Sequence, residues 1–421
     1  MTEKFLFYIW QFRFFNTKDL KTTEGDNLSI LRPGDLNNAS GPDFHNSHIV
    51  IGDTTWIGNV EIHVRSSDWL KHKHQLDKAY QNVVLHVVYD NDVDAGNGIP
   101  VLELNGKIPG KYIRTYDQLM ESKKTIPCQS QLLTVPSLVL STWKERMLIE
   151  RLEDKTQQIK IALEKNNGDW SETFFQFTAR GLGLKHNALP MEWLARSMPL
   201  ATLLKHKDNL FQIEALLLGQ AGFLSLHDDD DYNKNLKQEY IFLSKKYMLE
   251  PLDRSVFKTG GVRPPNSPEI RVAQLAQLIH QSNGLFRFFM ETENEKEIIS
   301  KLQIKLHSFW DDRFNLRSKA KKSTSKKIGK STIQLLIINL IVPFLFYYGT
   351  YYEMVEIKER ALRLLMLLPK EKNRITEEWK DIGMPIFNAF DSQACIQLKN
   401  LYCNMKKCLD CGIGHSILKS N

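Results

Sequence analysis

The chain has little cysteine, no long unbroken apolar run and no large excess of either charge. Five cysteines in 421 residues do not make a disulfide framework in a chain of this size. The longest apolar run, residues 333–348, is broken by Gln334, Asn339 and Pro343. It falls short of the roughly 20 residues of a membrane span, so a buried helix is expected and no membrane partner. Residues 1–15 carry Glu3, Lys4 and Arg13. They lack a basic start, an uninterrupted apolar core and a small-residue cleavage site, and are read as the start of a cytoplasmic protein. Lysine and arginine number 56 against 49 acids, a net charge of +7. That permits a polyanionic partner without demanding one. No fixed-period repeat runs through the chain.

What is present is ordinary for a soluble globular protein: 42% apolar and 25% charged residues. The length implies two or three domains. A helix is expected over residues 3–15. Short stretches rich in Val and Ile follow at 28–32, 47–52, 55–64, 83–90 and 101–104, bounded by Gly, Asn, Asp and Pro. Residues 68–81 are too polar for a strand and of helical length. A strand–helix–strand unit of this kind favours an α/β sheet. From about Pro136 onward apolar residues recur at helical spacing. Helices are expected over 137–164, 169–181, 190–207, 211–223, 235–248, 269–281, 292–310, 331–348 and 353–368. Residues 227–231 read as a solvated acidic loop.

Gly41-Pro42-Asp43-Phe44 is followed, eighteen residues after the aspartate, by Glu61-Ile62-His63 on an apolar strand. Strand side chains alternate faces, so Glu61 and His63 point the same way. With Asp43 brought in from a neighbouring strand, the group suits a divalent metal and a water. Asp68, His72, His74, Asp77 and Tyr80 follow on the expected helix, and His86 on the next strand. Asp68 and His72 share a helix face at four residues apart, whereas His72 and His74 diverge on a helix. A cupin-like metal-binding barrel would use the same histidines with Glu61, but the polar helix-length segment argues against it.

The order of elements and the placement of the acids resemble the restriction-endonuclease-like nuclease superfamily, PD-(D/E)XK. Its pattern is Pro-Asp, a spacer, then (Asp/Glu)-x-Lys on the next strand. Carried over by position, the resemblance implies that Asp43 and Glu61 are ligands of Mg²⁺ or Mn²⁺. Ile62 would supply a backbone oxygen, and His63 would replace the lysine. Histidine is mostly neutral near pH 7, unlike lysine. The resemblance implies Asp68, His72, His74 and His86 as flanking groups.

Cys403, Cys408 and Cys411 stand in a C-x₄-C-x₂-C spacing, and a C-x₂-C pair lets two thiolates reach one metal. The fourth ligand is open among Cys128, Cys395 and His415. Some nucleases of the superfamily named above pair a single cysteine with a late triplet around an iron–sulfur cluster. Cys128 with Cys403, Cys408 and Cys411 has a similar layout, and the loop also looks like that of helix-hairpin-helix glycosylases. Zinc and an iron–sulfur cluster both suit four thiolates.

Residues 313–330 hold Arg313, Arg317, Lys319, Lys321, Lys322, Lys326, Lys327 and Lys330 without an acid. They read as a solvated face or as a phosphate contact. Lys71, Lys73 and Lys78 near the acidic group, and Lys406 and Lys407 in the cysteine loop, would extend a basic track for DNA or RNA.

End to end, the chain resembles a bacterial group, domain-of-unknown-function family 2851. Ser40-Gly41-Pro42-Asp43-Phe44, residues 58–63, Ser67-Asp68-Trp69, residues 84–88, residues 214–217, residues 219–223, Arg263-Pro264 and Tyr402-Cys403 carry the resemblance. The expected architecture is an α/β N-terminal domain with a restriction-endonuclease-like mixed sheet, residues 1–125. A mostly α-helical domain, residues 126–421, follows and ends in a Cys-rich metal-binding loop. The expected function is metal-dependent phosphodiester hydrolysis. The alternatives are a non-enzymatic nucleic-acid-binding or assembly protein, with Glu61 paired to Arg65 or Lys71, and a metal enzyme acting on a small molecule.

Overall fold

The computed structural model describes residues 1–420 except 95, 97, 225–229, 283, 318, 321, 322, 324 and 325. The described residues form two compact units. One takes Met1–Lys144, Glu378–Met384 and Gln397–Asn421; the other takes Glu145–Glu377 and Pro385–Ile396. Sequence texture changes near Pro136 and the domain boundary is expected at residue 125; the compact division falls inside the helix Ser137–Lys165. The last helix, Gly412–Ser420, returns to the first unit because Ile413, Ile417 and Leu418 are buried there.

The first unit opens with α1 (Glu3–Phe12), whose N-terminus is capped by the Thr2 hydroxyl accepting from the Phe5 N–H. It buries Phe5, Leu6, Tyr8, Ile9 and Trp10 and ends on Arg13 in the left-handed region. Six strands follow among the described residues: β1 (Leu28–Arg32), β2 (Asp35–Leu36), β3 (Phe44–Ile51), β4 (Thr54–Arg65), β5 (Val83–Asp90) and β6 (Val101–Glu103). The sheet order is β1-β3-β4-β5-β6, with β2 pairing β3. β1, β3 and β4 run antiparallel, whereas β4, β5 and β6 run parallel. The result is a mixed sheet, and β4 is the strand where the two modes meet. Residues 60–63 of β4 are all buried, as expected of a central strand covered on both faces.

The link from β4 to β5 departs from the expected helix over 68–81. It holds one helical turn, α2 (Asp68–Lys71), and two 3₁₀ turns, His74–Leu76 and Lys78–Tyr80. The helix stops because Lys73 takes φ 60 and ψ 31, a left-handed conformation. Asp77 is then extended, and its carboxylate caps the next turn at the Ala79 N–H.

The second unit is helical. Trp170 lies at its aromatic centre, with the Phe286, Tyr347, Tyr348, Tyr351 and Phe344 rings within 6.5 Å. The apolar run at 333–348 is part of a longer helix, Lys330–Tyr351, of 22 residues. By length and composition alone that helix could cross a membrane, yet 72% of its apolar window is buried in the protein. It extends past the run at both ends and carries a π-helical segment, Ile337–Ile341. Of the acidic loop expected at 227–231, residues 227–229 lie outside the described residues. Asp230 pairs with Arg313 at 2.5 Å and caps the helix Asp231–Tyr247.

Gly58 on β4 shows how tightly the hairpin is fitted to β5. A Cβ there would sit 2.7 Å from the Asn82 carbonyl oxygen and would overlap a Val84 methyl. Gly58→Ala is expected to cost about 1–3 kcal/mol, read as a fall in thermal midpoint. Gly260→Ala, with nothing within 4 Å, should stay within about 0.5 kcal/mol of wild type. Equal midpoints for the two variants would contradict this packing.

Candidate metal centre

Gly41 takes φ 101 in the turn before Pro42, a conformation that glycine adopts cheaply. The turn delivers Asp43 to the start of β3, beside β4. Two reciprocal bonds then lock the acids together. The Ile62 N–H donates to Asp43 Oδ2 at 2.9 Å, and the Asp43 N–H donates to Glu61 Oε2 at 3.1 Å. Each carboxylate keeps one oxygen clear of these bonds.

The remaining Glu61 oxygen meets imidazoles. Oε1 lies 3.5 Å from His63 Nε2 and 3.2 Å from His74 Nε2. His63 Nε2 is 3.1 Å from His72 Nδ1, and His63 Nδ1 is 2.9 Å from His86 Nε2. Glu61 pairs opposite His86 in the parallel register of β4 and β5, which sets both on one face. His72 and His74 would diverge on a continuous helix. The left-handed Lys73 between them turns both rings inward, so one ligand nitrogen from each of His63, His72 and His74 falls within 4.8 Å of the others. Ligand atoms bonded at about 2.0–2.1 Å around a tetrahedral ion sit roughly 3.3 Å apart. The 3.1, 3.2 and 3.5 Å separations lie on either side of that value.

Aromatic rings wall the group. Tyr80 stacks on His74 with centroids 3.9 Å apart, and Trp69 lies 5.4 Å from His74 and 5.2 Å from His86. His72 is exposed and opens the site to solvent, whereas Glu61, His63 and His86 are at most 4% exposed. His86 Nδ1 is buried without a hydrogen-bond partner among the described residues.

The electrostatics run in opposite directions on the two sides. Burial, then the Asp43 charge, pushes Glu61 up to about 9. Burial pushes Asp43 up to about 7, opposed by the Ile62 N–H. Burial and neighbouring imidazoles hold His63 down to about 3 and His86 to about 4, and lower His74 as well. The acids therefore favour protons and the imidazoles refuse them. A divalent cation satisfies both sides, since it binds charged carboxylates and neutral imidazole lone pairs.

Glu3 is a further member that the pattern of motifs did not reveal. It feels the charges of His72 and Asp68 and acts on both Asp43 and Glu61. An acid in the first turn of a helix ordinarily reads as a dipole partner. The available signal was Phe7, one turn later on the same face, whose ring packs edge-on against Phe44 at 6.2 Å.

The other expected residues have varied fates. Asp68 accepts from Lys71 at 2.6 Å and from the Arg65 N–H at 3.1 Å. Glu61 is thus buried against imidazoles, with Lys71 engaged by Asp68. Lys319 and Lys327 are exposed, and Lys319 lies 3.9 Å from Asp312. Lys326 does not face solvent as a phosphate contact would. It is 5% exposed, donates to the Asp311 carbonyl and lies over the Phe314 ring. Arg313 is likewise buried, against Asp230. Lys321 and Lys322 lie outside the described residues. Cys128, Cys403, Cys408 and Cys411 all fall in the sheet unit, and Cys395 in the helical one.

The profile of a family described as protein of unknown function, DUF2851, matches residues 3–374. The chain belongs to the DUF2851 family. The matched stretch includes the acids and histidines of this DUF2851 site and Cys128, and it stops before the C-terminal cysteines. No curated protein and no solved structure matches the chain.

Metal ligation requires both carboxyls to lose their protons, and burial raises both, Asp43 to about 7 and Glu61 to about 9. Apparent affinity for Mn²⁺ or Zn²⁺ is therefore expected to rise from pH 6 to pH 9, by up to about tenfold per unit for each proton released. Calorimetric titration of chelator-treated protein measures it. A flat profile, or equal affinity in His72→Ala, would rule the site out.

Proposed function

We propose that this DUF2851 protein is a metal-dependent phosphodiester hydrolase of the nuclease type. The observation that carries the reading is the clamped pair of Asp43 and Glu61, each keeping one carboxylate oxygen outside these two bonds, beside three inward-facing imidazoles. The element order supports it. A helix, antiparallel strands with Asp43 just before one and Glu61 on its neighbour, a crossover and then parallel strands are the order a restriction-endonuclease-like domain would have. Lys73 and Lys78 are exposed on the turns beside the site, where they would attract the backbone of DNA or RNA.

Asp43 and Glu61 would hold the ion, with Glu3 adding negative charge from α1. Imidazole nitrogens beside carboxylate oxygens suit Mn²⁺ or Zn²⁺ better than Mg²⁺, which prefers an oxygen shell. When bound, the ion lowers the pKa of a coordinated water and neutralises charge on the scissile phosphate. His63 stands where the superfamily has lysine. Burial holds it neutral, so with Nδ1 taken by His86 its Nε2 would offer the ion a lone pair in place of supplying a fixed positive charge. His86 fixes the His63 ring through the 2.9 Å contact to its Nδ1.

The test uses single- and double-stranded DNA and RNA with Mg²⁺, Mn²⁺ or Zn²⁺ after chelator treatment. Asp43→Ala and Glu61→Ala are each expected to lower cleavage by at least about a hundredfold, with unchanged circular dichroism. Variants that cut as well as wild type, or a wild type that cuts none of these substrates with any metal, would overturn the reading.

A further inference from the structure

The helical unit holds a pocket that shares no residue with the metal centre. Its volume is about 570 Å³, within the roughly 300–1,000 Å³ of small-molecule sites. The helix Ser137–Lys165 gives it Lys155, Trp170–Leu182 gives Phe177, Leu184–Ser197 gives Ala188, and Lys330–Tyr351 gives Asn339 and Leu340. Two backbone irregularities line it. Leu184 takes φ 51, in the left-handed region that a leucine adopts only at a cost. Asn339 and Leu340 lie in the π-helical segment Ile337–Ile341. Pro343, also in the wall, has no N–H to give the Asn339 carbonyl four residues back, which breaks the helical ladder there. Such distortions gather at ligand sites.

Charge in the wall is of one sign. Lys155, Arg180 and Lys185 line the pocket, and among the described residues no acid does. Arg180 is committed to Glu192 at 2.5 Å. Lys155 meets only neutral oxygens: its Nζ donates to Asn339 Oδ1 at 2.8 Å and to Gln393 Oε1 at 3.2 Å. Two of the three ammonium donors are thereby used. Arg151 Nε donates to the same Gln393 oxygen at 2.7 Å, so a second cation stands beside the first. Burial, then the Arg151 charge, lowers Lys155 to about 7, and the Glu371 charge opposes them more weakly. The ammonium therefore has a donor to spare and too little negative charge around it.

Apolar walls with a few placed polar groups suit a ligand that is mostly apolar. The spare donor of Lys155 suits one acid group, bound by a charge-assisted hydrogen bond. A phosphate dianion would ask for more donors than this ammonium has left, whereas a carboxylate would not. We propose that this pocket binds an apolar small molecule carrying one carboxylate, with the carboxylate on Lys155 and the apolar body against Phe177 and Leu340. The ligand supplies the negative charge that the two amide oxygens do not. The assignment stands independently of the hydrolytic reading.

The test is calorimetric titration of the full chain with octanoate and with octanol, its neutral counterpart. Octanoate is expected to bind at least about tenfold more tightly than octanol, the worth of one charge-assisted bond. Lys155→Met keeps the apolar stem and should bring octanoate down to the affinity of octanol. Ala188→Phe fills the pocket, keeps the charge and should abolish binding of both. No binding of octanoate to wild type, equal affinity for acid and alcohol, or undiminished octanoate binding by either variant would overturn the proposal. Should one variant not fold, the comparison of acid with alcohol in wild type and the other variant decides.

Discussion

The reciprocal pair of bonds between Asp43 and β4 is the constraint on which the site depends. Each acid uses one oxygen to accept a backbone N–H from the other's neighbourhood, so neither carboxylate can move without breaking the strand edge. The bonds also join β3 to β4 where their pairing shifts register, between Phe44 and Ser47. An interruption of the ladder is thereby turned into a fixed distance between two charges. Because β4 also pairs in parallel with β5, the same strand carries His63 to His86.

The site is stable only as a compromise. Two acids and a third from α1 lie in low dielectric surroundings, where each disfavours ionisation of the others. The imidazoles beside them are kept neutral by burial. A protein without function at this place would gain by replacing such a group with apolar residues. Perturbed ionisation concentrated in one open, aromatic-walled group is what the proposed metal site would require.

Much of the sheet was legible because its information is local. Leu28–Arg32 and Val83–Asp90 carry β-branched residues between turn formers, and the strands form there. The adjacency of Asp43 and Glu61 follows from alternation and from neighbouring strands. Residues 68–81 were misread because a lysine occupies the left-handed position at Lys73, where glycine or asparagine would have announced a break. That one dihedral angle decides whether His72 and His74 diverge or converge. Glu3 was invisible for a different reason: its role comes from packing of α1 on the sheet, and a helix-terminal acid carries no mark of that. The return of residues 397–421 to the first unit is also non-local, written only in the burial of a few apolar side chains.

That return has a consequence for synthesis. The helical unit is an insertion within the sheet unit, whose closing segments are made after the bulk of that insertion. Tyr8 meets its partner His415 only after the helical unit has been made. Until then Tyr8, Phe12 and Phe14, whose rings meet His415, lack part of their cover. Vectorial folding, one unit completed before the next is made, is closed to this pair: the sheet unit is begun before the helical unit and completed after it.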